Sequence, residues 1–402
     1  MSSNNEPKPM NKQINSSDWP WKLGTLPFLY SPLSVPTNGP SLPDSLPFAL
    51  DIDQATGTMT QVRNKAVSCV LAKAYLKGSE LSGTMNEHGI GREYAEDFLS
   101  FLTSVIPASR LDGARVLEIG CGTGYYLYRL KNLGADVVGV EPGPHGQDGT
   151  KRFQVPIVRD FFPSQEISGE FDLIVLYGVL EHMEQPSAFL VNVQTHLSER
   201  GRIVLSVPDC EPFMMIGDLS ILLHEHWNYY TSGSLRKLLE SVGLDLEVRK
   251  SSFCGALYGI GKDTSARQLD DASFPQESRK VAIYRRAANI ALKRFLNYLR
   301  EAIEKGESVG IYVPGRAINA LWMVRQEVDL STLRFFDDNS VLHGTYFPGF
   351  DIPIEPRPKL IEDPTDKILI MSRAFGERIA NQLSASLDGR VMITMWQDLL
   401  LR

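Results

Sequence analysis

Two groups of residues have types and spacing that could do chemistry. The first is Glu118, Gly120, Gly122 and Gly124, set alternately in Arg115-Val116-Leu117-Glu118-Ile119-Gly120-Cys121-Gly122-Thr123-Gly124. This reads as a buried strand, a glycine turn and then a helix over Tyr125 to Leu133. Strand, glycine turn and helix together receive a nucleotide-like ligand in doubly wound α/β folds. Glycine suits the turn because it lets the main chain approach a ligand closely. A dinucleotide turn needs G-x-G-x-x-G, and here Tyr125 stands where its third glycine belongs. A second acid, Glu141, lies 17 residues beyond Gly124, close to the spacing of about 20 at which an acid meets a ribose. Its carboxylate can accept from both ribose hydroxyls. The bland alternatives are a tight turn of some other Rossmann-like domain and a solvated strand-end acid.

The second group is His182 with His224-Glu225-His226. Both segments follow predicted strands, at the ends that line a ligand crevice. The i,i+2 spacing puts His224 and His226 on one face of an extended segment. Two such ligands without a third are weak evidence for a metal, and no metal is assigned. A general base beside a carboxylate is the reading taken, since histidine titrates near neutral pH. A hydrogen-bonded structural histidine is the plain alternative.

These residues need a scaffold, and the rest of the chain supplies one. At 402 residues, two or three domains are expected. Net charge is −7, from 41 basic and 48 acidic residues, which argues against a general nucleic-acid surface. No apolar run reaches the roughly 18 residues of a membrane span. Residues 1–17 read as a disordered tail with no signal core. Four isolated cysteines fit neither a disulfide framework nor a structural zinc site and suit a reducing, cytoplasmic setting.

Segment 18–105 opens rich in proline, from Pro20 to Pro47. Extended loops and edge strands are expected there, then Val67–Leu76 and a helix over Glu93–Val105. Segment 106–265 alternates strands and helices: Val116–Ile119, Ala135–Glu141, Val155–Val158, Phe171–Leu176 and Arg202–Val207. That pattern predicts a parallel sheet. A long linker helix is expected near Arg279–Lys305, within 266–306. Its basic face reads as solvated or phosphate-facing. Segment 307–402 repeats an α/β pattern. The fold class is therefore α/β, a Rossmann-like domain followed by a second Rossmann-like unit.

Glu118, Gly120, Gly122 and Gly124 in E-x-G-x-G-x-G resemble the first motif of the class I S-adenosylmethionine (SAM) methyltransferases. Farther along, three features resemble the bacterial sugar C-methyltransferases, which act on nucleotide-linked 4-keto-deoxysugars. They are Tyr75 with the polar run Ser79…Asn86-Glu87-His88, the pair Glu225-His226, and a C-terminal module. The module carries Asp337-Asp338-Asn339…Gly344…Pro348-Gly349…Ile352-Pro353-Ile354 and Ser372…Phe375. The resemblance implies SAM as cofactor, held by Glu118, Gly120, Cys121, Gly122, Gly124, Glu141, Pro142, Asp160, Phe161 and Tyr177. Asp160 and Phe161 would meet adenine, though Phe161 reads equally as core. A sulfonium near Tyr177 or Tyr125 would gain a cation–π contact.

The same resemblance implies that His226 is the base and that Glu225 binds a hydroxyl or keto oxygen. Tyr75 and His182 would hold an enediolate, and His224 is a further candidate. The chain departs from that family twice. No cysteine precedes Cys69, so the family's zinc module is missing, and Leu223 stands where the family often has tyrosine. The expected acceptor is a small molecule, a nucleotide sugar or related metabolite, with neither nucleic acid nor membrane as partner. O- or N-methylation of another metabolite, and a non-catalytic SAM or sugar-nucleotide binder, are the competing readings.

Overall fold

Proline and tryptophan set the start of the structure. The computed structural model describes residues 19–37, 42–78, 85–251, 253, 255–263, 274–373, 375–387 and 389–401. The expected tail 1–17, Ser79, Ser82 and Cys254 lie outside the described residues. Trp21–Pro27 (β1), Ser45–Ile52 (β2) and Met59–Gln61 (β3) form an antiparallel sheet. The expected loops and edge strands thus give way to a sheet in which β2 is internal. Pro47 lies opposite Thr25, next to a register shift, the kind of irregularity that admits proline.

Lys65–Leu76 (α1) follows, capped by Asn64, whose side chain accepts from the Ala66 N–H at 2.9 Å. It buries Val67, Leu71 and Ala74, spaced i, i+4, i+7 along one helical face. Gly89–Val105 (α2) is longer than the expected helix. Its Phe98 is fully buried, with the rings of Tyr126, Tyr177 and Tyr258 within 5.3 Å. Removing a ring from such a position costs about 3–5 kcal/mol.

The next sheet is built from Arg115–Ile119 (β4), Asp136–Val140 (β5), Ile157–Val158 (β6), Phe171–Tyr177 (β7) and Leu197–Pro208 (β8). Between them run Tyr125–Lys131 (α3), His145–Phe153 (α4) and Pro186–Gln194 (α5). Near-continuous burial of β4 and β7 is what a parallel sheet covered on both faces requires. Beyond β8 come Glu211–Met214 (α6), Asn228–Tyr229 (β9), Ser232–Ser241 (α7), and the hairpin Leu244–Lys250 (β10) and Ala256–Asp263 (β11). The strand order is β10-β11-β8-β7-β4-β5-β6, with β11 and β10 antiparallel at one edge. The order reverses between β4 and β7, so a crevice opens there at the strands' carboxyl ends. Strand β9 pairs with β3 and so joins the insertion after β8 to the N-terminal sheet.

Phe274–Glu304 (α8) is the expected long helix. It buries Val281, Tyr284, Ala288, Ala291, Phe295, Leu299 and Ala302; Leu292 is only partly covered. Val309–Tyr312 (β12), Ile318–Val324 (α9), Leu333–Phe336 (β13), Ile354–Glu355 (β14), Lys367–Ile370 (β15) and Met392–Met395 (β16) complete the chain's α/β content. These strands are all parallel, in the order β14-β13-β12-β15-β16. One hydrophobic core runs through residues of the N-terminal sheet, the insertion, α8 and this last unit, from Trp21 to Leu400. No helix among the described residues is long and apolar enough to cross a membrane.

Candidate active site

The glycine turn after β4 is shaped by necessity. Gly120, Gly122 and Gly124 all hold φ near +50 to +70°, where side chains with a Cβ are strained. A Cβ at Gly120 would also stand 2.8 Å from a Val179 methyl. The turn is fastened to the end of β5 by Glu141: its carboxylate accepts from the Gly122 N–H at 3.0 Å and the Gly143 N–H at 2.8 Å. Glu118 is buried, and its Oε2 has no hydrogen-bond partner. Burial, with Glu141 nearby, holds its carboxyl well above the usual carboxylate range. A buried acceptor without a donor is costly. An ammonium group of a bound ligand would satisfy it, as the amino-acid part of SAM does chemically.

Two cavities meet at this turn. The first, about 720 Å³, is bordered by Gly120, Glu141, Pro142, Asp160 and Phe161 on one side and Tyr75, His182, Glu225 and Trp227 on the other. Phe161 is 43% exposed, at the rim rather than in the core. The neighbouring Phe162 lines the same cavity and packs against Phe189 and His196. The second cavity, about 380 Å³, is lined by Glu118, Cys121, Tyr177, Glu181, His226 and Arg316. Gly120, Gly122 and Gly178 border both. Tyr125 borders neither. Its ring packs against Tyr128 and Phe153 instead, so the cation–π contact expected of it has no geometric support.

His182 sits on the helical turn Leu180–His182 that follows β7. Its Nδ1 lies 3.0 Å from the Glu225 carbonyl oxygen and 3.0 Å from the Tyr75 hydroxyl. A carbonyl only accepts, so Nδ1 carries the proton and Nε2 the lone pair. The His226 ring lies 4.9 Å from the His182 ring, edge to face. Burial pushes the pKa of His182 down to about 4 and that of His226 well below its ordinary value. Both rings are neutral at neutral pH, and a neutral imidazole can accept a proton.

Glu225 is buried with neither carboxylate oxygen hydrogen-bonded. Burial pushes its pKa up to about 8, and the charge of Arg316 opposes the rise. Glu181 is raised likewise to about 8.

His224 is where the sequence reading fails. Residues 224 and 225 form a turn, closed by the His226 N–H donating to the Leu223 carbonyl at 3.0 Å. The turn sends the two histidines apart, whereas an extended segment would have kept them on one face. His224 packs between Phe28 and Phe48, and its Nε2 lies 3.1 Å from the Leu26 carbonyl. It lines neither cavity. Leu223 is fully buried, and the Tyr229 hydroxyl bridges its main-chain N–H and carbonyl.

Sequence reasoning passed over Arg316 and Glu181. Arg316 follows β12 in the Pro314-Gly315-Arg316 turn, the carboxyl end of a strand at another topological switch, which is the signal that could have found it. The loop 218–226 is braced from both ends of the chain. Tyr30 donates to the Leu222 carbonyl at 3.0 Å, and Asn319 donates to Leu219 at 3.1 Å and Leu222 at 2.8 Å. The Trp396 indole N–H reaches Asp218 at 3.4 Å.

Comparison with known proteins agrees with this geometry. Residues 87–248 match the family described as a methyltransferase domain, and residues 268–395 match the C-methyltransferase C-terminal domain. A tRNA U34 carboxymethyltransferase of Azotobacter vinelandii is 28% identical over 160 residues, 37% of this chain and 48% of its own length. A mitochondrial ubiquinone biosynthesis O-methyltransferase of Schizosaccharomyces pombe is 28% identical over 190 residues, 42% of this chain and 65% of its own. The chain thus spans about half to two thirds of these relatives. The crystal structure of a magnesium protoporphyrin IX methyltransferase from Synechocystis PCC 6803 aligns with TM-score 0.38 and 16% identity, covering 48% of this chain and 98% of that one. Residues 87–248, which hold the glycine turn and its two acids, thus form a SAM-dependent methyltransferase domain, and residues 268–395 form a C-methyltransferase C-terminal domain.

Proposed function

We propose that the enzyme methylates a carbon of a small keto-deoxysugar, nucleotide-linked, or of a related metabolite. Bound SAM supplies an electrophilic methyl group on a sulfonium. Glu118 would take its ammonium group and Glu141 its ribose hydroxyls, while Asp160, Phe161 and Pro142 border the base. On the acceptor side, His226 takes the proton from the carbon beside the ketone. The electron pair left behind moves onto the keto oxygen; Glu225 and the Tyr75 hydroxyl would donate to the resulting enediolate oxygen, and His182 Nε2 would accept from its neighbouring hydroxyl. The carbon then forms its new C–C bond as the methyl leaves sulfur.

Donors already in place are what make such an oxyanion accessible. The observation that carries this reading is the joined set at the cavity wall: Tyr75 and the Glu225 main chain converge on His182, and His226 stands across its ring. The match of 268–395 to a C-methyltransferase C-terminal domain supports it. A small acceptor rather than a nucleic acid is supported by the cavity of about 380 Å³ and the net charge of −7.

The experiment is turnover of labelled SAM with a panel of nucleotide keto-sugars in deuterated water. Exchange of one C–H proton and label on carbon are expected. Label on oxygen or nitrogen with no C–H exchange would replace this reading by O- or N-methylation. The 28% identity to a ubiquinone biosynthesis O-methyltransferase is the observation that favours that second reading. Tight SAM binding with no acceptor turned over would leave a binding protein.

A further inference from the structure

Glu181, His182 and His226 each turn one ligand atom toward the others, all within 4.8 Å. Glu181 and His226 are 3% and 4% exposed, and the His182 side chain is 11% exposed. Glu181 is the telling member. Its Oε2 is buried without a partner, and its Oε1 lies 4.0 Å from His182 Nε2. That nitrogen carries the lone pair, because Nδ1–H is spent on the Glu225 carbonyl. A histidine anchored through its far nitrogen to a carbonyl is how metal-ligating imidazoles are usually oriented. Two ligands are neighbours on one turn and the third faces them from another loop, so the set is chelating.

We propose that Glu181, His182 and His226 form a binding site for a transition-metal dication of the zinc type. Two imidazoles and a carboxylate suit zinc or cobalt better than calcium or magnesium. Metal–ligand bonds of about 2.0–2.2 Å put neighbouring ligand atoms roughly 3.3–3.6 Å apart in a tetrahedron, so closing the site takes side-chain movements on the order of 1 Å. Glu181 and His226 line the cavity that holds Glu118, Cys121 and Arg316. Arg316, on the wall of the same cavity, works against the cation. The ion would occupy the His226 lone pair. Given the role proposed for His226 above, metal and C-methylation therefore exclude each other.

The test uses the full chain, stripped by chelator and titrated with zinc by calorimetry, and with cobalt by visible absorption. One equivalent per chain and tetrahedral cobalt bands are expected. Affinity should drop at least 100-fold in Glu181→Gln and in His182→Gln, each checked for native circular dichroism. Cys121→Ser should leave it within threefold. Arg316→Met should tighten it several-fold. Absence of saturable binding overturns the site, as does equal affinity in Glu181→Gln or dependence on Cys121. Turnover is read separately: loss in proportion to zinc occupancy supports the exclusion. Full turnover by the zinc-loaded protein overturns the role given to His226 and leaves the metal site standing.

Discussion

Gly149, in α4, is the position where the structure makes the sharpest quantitative demand. An ideal Cβ there would overlap the Thr123 carbonyl oxygen and stand 2.6 Å from its carbon. Carbon atoms in ordinary contact sit about 3.5–4.0 Å apart, and the overlapped oxygen is nearer than the carbon, so alanine requires α4 and the glycine turn to part by more than about 1 Å. Both obstacles are main chain, and no rotamer change relieves them. The same helix presses Gly146 against Glu141, where a Cβ would meet the Glu141 side chain at 3.2 Å. Moving α4 therefore disturbs the acid as well as the turn. Helix propensity alone says the opposite: Gly→Ala inside a helix gains about 1 kcal/mol. Overpacking costs about 1–3 kcal/mol, and with no soft neighbour the upper end applies, which leaves Gly149→Ala about 2 kcal/mol less stable. Denaturant unfolding and SAM calorimetry read the two effects. A destabilised protein with SAM affinity down at least tenfold is expected. An equally or more stable variant with native affinity would refute the packing argument outright.

Glu141→Ala should weaken SAM binding by about 10- to 100-fold, since charge-assisted hydrogen bonds are worth roughly 1.5–3 kcal/mol; calorimetry checks it. Glu118 gives a pH prediction. Its carboxyl is raised in the folded protein, so the apo protein keeps a proton there that the unfolded chain releases above its ordinary value near 4.5. Apo stability then falls as pH rises from that value toward the raised one. SAM, whose ammonium favours the ionised acid, should bind more tightly over the same rise with release of a proton. Calorimetry in buffers of different ionisation heat should show that release, and Glu118→Gln should abolish it. Arg316→Met should raise KM for an anionic acceptor about tenfold while SAM affinity stays unchanged, as separate kinetic and binding measurements would show.

What the sequence made legible follows the range of the forces involved. Strand β4 and its glycine turn depend on neighbours within ten residues, so alternating Glu118, Gly120, Gly122 and Gly124 announce them. The basic and apolar faces of α8 are likewise written at helical spacing. Strand β9 was not legible, because its two residues pair with Met59 and Thr60 far back in the chain, and nothing local marks them. The pairing of His226 was misread for a similar reason. A single hydrogen bond, from His226 N–H to Leu223, turns a segment that reads as extended and exchanges His224 for His182 as its neighbour. Arg316 entered from a separate α/β unit, so no spacing along the chain could tie it to Glu225. The expected tail and the polar run with Ser79 and Ser82 lie outside the described residues.

The bracing of loop 218–226 has a consequence for how the protein is made. Its supports arrive in order: Tyr30 long before it, Asn319 after it, Trp396 last. Synthesis proceeds at about 5–20 residues per second, and domains fold as they emerge. From His226 to Trp396 the ribosome therefore needs roughly 10–30 s at that rate. Once Asp263 has emerged, early in that interval, the sheet carrying Glu118 and Glu141 has all its strands, while the loop carrying Glu225 and His226 lacks its final braces. The nascent chain passes through a stage that can load the methyl donor before it has any place to spend it.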